Sequence, residues 1–66
     1  MDKRAQLSAA IIEWCETMAA IRINDARYNE EVAARGRCKR ETLRESSRLA
    51  KRLTRATRAW EAAAGR

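Results

Sequence analysis

The residue types that carry most protein chemistry are scarce in this chain. Histidine is absent, which removes the commonest general base and metal ligand. Cys15 and Cys38 without histidine cannot complete a four-ligand zinc site, and the two glycines, Gly36 and Gly65, are too far apart to form a phosphate-cradling loop. Ser46-Ser47 has no base beside it. Glu13/Glu16 and Glu30/Glu31 read as solvated helix acids. Cys38 is flanked by Arg37, Lys39 and Arg40, a setting that favours a thiolate, but an incidental turn cysteine is the stronger reading. The expectation is a non-enzyme with no catalytic residue, metal, cofactor or small-molecule substrate.

What remains is charge. Lys and Arg number 15 against 9 acids, for a net charge of +6, and arginine supplies twelve of the cations. Residues 1–33 carry four basic and six acidic side chains, whereas residues 34–66 carry eleven and three. Arg44, Arg48, Lys51, Arg52, Arg55 and Arg58 recur at helical spacing on one side of the second half, and Arg35, Arg37, Lys39 and Arg40 extend the ribbon around the preceding segment. From Arg48 to Arg58 no acid interrupts it. Such an edge can engage an acidic protein surface or follow a phosphate backbone by counterion release. No aromatic or amide side chain lies among these cations, so direct base readout is not expected.

The elements that must position this ribbon are helical. Proline is absent, and fourteen of the 66 residues are alanine, the strongest helix former. Leu7, Ile11, Trp14, Met18, Ile21, Asp25, Tyr28 and Val32 follow an unbroken 4-3 spacing, with Asp2 as N-cap and Gly36 as the stop. Leu43, Ser46, Ala50, Leu53, Thr57, Trp60 and Ala64 repeat the pattern on a thinner face. The prediction is one all-α domain spanning 1–66: an αα-hairpin with a helix over 3–35, a turn at 36–39 and a helix over 40–64.

A tight reversal near residue 37 would set Trp14 against Trp60, Ile21 against Leu53 and Val32 against Leu43, with Asp25 opposite Ala50 and within reach of Arg48 or Arg52. Truncating either tryptophan should then cost about 3–5 kcal/mol. A second stripe on helix one, including Ala9, Ile12, Ala19, Ile23 and Ala26, faces away from this seam. It predicts a close helix–helix contact between two hairpins, hence a homodimer and a four-helix bundle.

In length and hairpin plan, with the stripes Leu7–Val32 and Leu43–Ala64 joined by a short turn, the chain resembles the plasmid-encoded Rop family of regulators. That resemblance implies a dimer of hairpins that binds paired RNA loops. It covers architecture alone: no functional motif aligns, and the cationic face here lies on helix two rather than helix one. The plan is also similar to small phage- or plasmid-encoded inhibitors that hold a host transcription regulator or ATPase. The reading favoured is a regulatory adaptor or inhibitor acting on an acidic-surfaced protein, with nucleic-acid binding as the alternative. Met1-Asp2-Lys3-Arg4 leads straight into the amphipathic pattern and no apolar run approaches the roughly 18 residues of a membrane span, so a cytoplasmic location without membrane association is expected.

Overall fold

The computed structural model of the protein describes residues 2–65, which form two helices, α1 (Lys3–Arg35) and α2 (Arg40–Ala63), folded into an antiparallel hairpin about 49 Å long. Both ends of α1 are fixed by local chemistry. Asp2 is extended (φ −64°, ψ 133°) and accepts a bond from the Arg4 backbone N–H at 3.2 Å, satisfying one of the donors that a helix start leaves unpaired. Gly36 takes the left-handed conformation (φ 77°) and donates its N–H to the Val32 carbonyl. A Cβ at this φ would be strained, so the type of residue 36 decides where α1 stops.

The start of α2 is built differently. Its N-cap, Lys39, offers no side-chain acceptor. Glu31 of α1 supplies one: its Oε1 accepts from the Lys39 backbone N–H at 2.9 Å and from the Thr42 hydroxyl at 2.7 Å. A carboxylate of one helix therefore anchors the first turn of the other. These two donors, the Thr42 hydroxyl foremost, hold the Glu31 carboxyl below its ordinary pKa of 4.5. Because the folded-state value is depressed, the stabilisation is present above pH 4.5 and is lost as pH falls through that lower value. Acid titration followed by circular dichroism should show helicity falling below pH 4.5, with a shallower acid dependence and a lower neutral-pH melting temperature in Glu31→Gln.

This anchor changes the register expected from a tight turn. The linker folds back along the last turns of α1, with Lys39 extended (φ −73°, ψ 151°) and its N–H brought to Glu31, eight residues earlier in the chain. The buried positions are Ala10, Thr17 and Asn24 on α1 and Thr42, Leu49 and Ala56 on α2. Asn24 donates to the Thr42 carbonyl at 3.4 Å, and Arg52 binds Glu13. Facing numbers thus sum to about 66 instead of 74 or 75, a slide of roughly 12 Å at 1.5 Å per residue. Trp14 and Trp60 do not stack in a sealed core as the tighter turn required: they are 42% and 38% exposed. Truncating Trp60 in the isolated hairpin therefore costs less than a fully buried tryptophan would. Asp25, expected inside, is exposed, and the arginines expected near it pair elsewhere.

The seam is small and partly polar. Thr17, fully buried, satisfies its hydroxyl on the Glu13 carbonyl at 2.7 Å, whereas the Asn24 side-chain oxygen is buried without a partner. Leu49 is the one large aliphatic side chain among the six buried positions. Leu7, Met18, Ile21 and Val32 of α1 and Leu53 of α2 flank it, half-buried.

Candidate functional site

The cationic ribbon divides into parts with different surroundings. Arg48, Lys51, Arg55 and Arg58 line one shallow cleft of about 400 Å³ with Thr54 on the outer side of α2. Their spacing of three or four residues stacks them along one helix face. The Arg48 side chain is 74% exposed and makes the cleft's one described ion pair, to Glu45 at 3.2 Å. Exposed Arg44 continues the same side of α2 towards its start.

Arg52 has a different role from its neighbours. It is half-buried at the edge of the seam, hydrogen-bonded to Glu13 through Nε and 3.6 Å from Glu16 through Nη2. The Arg52 hydrogen bond lowers the Glu13 pKa, and the Arg52 pKa is raised in turn. Arg52 therefore fastens α2 to α1. The sequence pattern placed it in an uncompensated ribbon because helical spacing within α2 cannot reveal an acid on the other helix. Glu13, Glu16 and Glu31, read as ordinary solvated acids, prove to be cross-helix partners.

A second basic region surrounds the turn. Arg35, Arg37, Lys39 and Arg40, with Glu41 at the rim, border an open basin of about 540 Å³. Cys38 lies beside it, half-buried, and Cys15 is exposed on α1; both are free thiols. Among the described residues no group of three or more His, Cys, Asp or Glu side chains could hold a metal ion, and no helix is long and apolar enough to cross a membrane.

Two apolar surfaces remain. The stripe assigned to self-association, Ala9, Ile12, Ala19, Ile23 and Ala26, is exposed throughout, with Ile12 57% and Ile23 66% exposed. Its large groups are the two isoleucines, and its near edge borders α2: Ile23 shares a shallow cleft with Glu45 and Leu49, and Ala9 one with Ala59, Ala62 and Ala63. The other surface, which the sequence pattern did not separate from the seam, is a groove of about 260 Å³ between the helices lined by Ile11, Trp14, Thr57 and Trp60. Ile11 is 44% exposed and both tryptophans are exposed as well, so the groove is open to solvent. Comparison with known protein families, curated proteins and solved structures finds nothing that matches this chain.

Proposed function

We propose that this hairpin is a small, non-enzymatic regulatory adaptor or inhibitor: a cytoplasmic homodimer that binds an acidic surface on a larger protein and modulates it. The observation that carries the reading is the outer cleft of α2, where Arg48, Lys51, Arg55 and Arg58 converge and the one described counter-charge is Glu45. Mutual repulsion among four cations within three helical turns is tolerated there, although alternating glutamates would stabilise the same helix. An external anionic surface relieves that repulsion, and Arg44 and the turn cations Arg35, Arg37 and Arg40 broaden the contact. Arg52 serves the hairpin itself.

Backbone-directed nucleic-acid binding draws on the same cations. The two readings separate on ligand and salt response. Fluorescence anisotropy with random-sequence duplex DNA and duplex RNA should show no saturable binding at physiological salt. Saturable binding with a steep log-salt slope would transfer the cleft to phosphate recognition.

A further inference from the structure

We propose that the groove lined by Ile11, Trp14, Thr57 and Trp60 is the face on which a second copy of this chain docks, so that the four-helix bundle closes through groove and not through the Ala9–Ala26 stripe. This rests on the reading of the protein as a homodimer and specifies where the copies meet.

The hairpin is half of a core. Its sealed seam holds Leu49 and five small or polar side chains, while the large apolar groups stand beside it. At 100° per residue, Leu7, Ile11, Trp14, Met18 and Ile21 all lie to one side of the Ala10–Thr17–Asn24 line, and Leu53, Thr57 and Trp60 lie on the corresponding side of the Thr42–Leu49–Ala56 line. In an antiparallel pair those two sides form one face, as the shared groove records. The opposite face is mixed: it holds the Arg52 pairs with Glu13 and Glu16 among alanines and Ile23, and has no aromatic side chain.

Area and charge select the occupant. The chain exposes 5437 Å², whereas a compact monomer of 7.6 kDa exposes about 4,300 Å². That excess belongs to the whole elongated body, about 49 × 16 × 14 Å, and leaves surface for the roughly 800 Å² that each partner buries in a standard interface. A two-fold axis through the groove apposes the same patch on both copies, Trp14 and Trp60 included, and needs no second kind of surface. With a net charge of +6, two copies repel unless their cations point apart. None of the ribbon cations lines the groove, and Arg48, Lys51, Arg55 and Arg58 face a separate cleft. The Ala9–Ala26 stripe offers less: apart from Ile12 and Ile23 its members are methyl groups, and Glu16 and Glu30 stand in the same row.

Matched substitutions test this. Ile11 in the groove and Ile23 in the stripe are both exposed and helical, so Ile11→Asp and Ile23→Asp carry the same intrinsic helix cost. Sedimentation equilibrium at tens of micromolar should give a dimer for the parent and for Ile23→Asp. Ile11→Asp should dissociate, its dimer constant weakened on the order of 100-fold because two unpaired carboxylates would be buried per dimer. A monomeric parent overturns the homodimer reading and the groove with it, leaving the groove to another occupant. A dimeric parent that Ile23→Asp dissociates and Ile11→Asp does not overturns the groove alone. If Ile11→Asp loses its helicity, or both variants dissociate, dilution of the unmodified protein decides. Tryptophan emission should shift to longer wavelength as dimer gives way to monomer, and dissociation without that shift contradicts the proposal.

Discussion

Leu49→Ala should unfold most of the population at 25 °C. Leu49 is 4% exposed and occupies the middle of the seam, between the Thr42 and Ala56 turns of α2 and opposite Thr17. Truncating a buried leucine costs about 2–5 kcal/mol, the transfer term plus the cavity left behind. A single core in a chain of this length rarely supplies more than about 3–5 kcal/mol. The other five buried residues are alanine, threonine or asparagine, so the sealed seam has no second large side chain to make up the loss. Ile12→Ala, at a position 57% exposed, provides the comparison and should melt close to the parent. Thermal unfolding followed by circular dichroism measures both, and a Leu49→Ala protein that melts like the parent would show that the seam lies elsewhere.

The second large effect concerns binding. Reversing Arg48, Lys51, Arg55 and Arg58 to glutamate converts the outer cleft of α2 from four positive to four negative charges while sparing the seam. Helicity should be retained, and binding to an acidic protein surface should be abolished. Arg52 is deliberately left intact. Its reversal would place a carboxylate against Glu13 and Glu16, and a loss of binding would then report a loosened hairpin. Arg52→Glu alone should lower the melting temperature, which distinguishes a fastening residue from a contact residue.

These differences trace to what a sequence can and cannot encode locally. The helix limits were legible because their signals are local: Asp2 caps its own helix, and Gly36 ends it through its own φ. The helix expected over 40–64 closes one residue earlier, with Ala64 as its C-cap. The register was not legible. It depends on Glu31 reaching across to Lys39 and Thr42, an interaction between residues that look solvated on their separate helices. The central line of α1 was hidden for a related reason. Ala10, Thr17 and Asn24 are small or polar, so the strongest apolar period fell on the flank, where Ile11 and Trp14 stand. Of the basic residues, the four lining the cleft were recognisable from spacing, whereas the removal of Arg52 required the position of the other helix.

Quantitative affinity capture from nuclease-treated lysate of the native host, with the parent and the Arg48/Lys51/Arg55/Arg58 charge-reversed protein immobilised at equal density, decides whether the α2 cleft binds an acidic protein. The expected result is a protein captured stoichiometrically by the parent, insensitive to nuclease, acidic at the surface cross-linked to α2, and lost from the charge-reversed protein. A protein retained equally by both, or capture that disappears with nuclease, would contradict it.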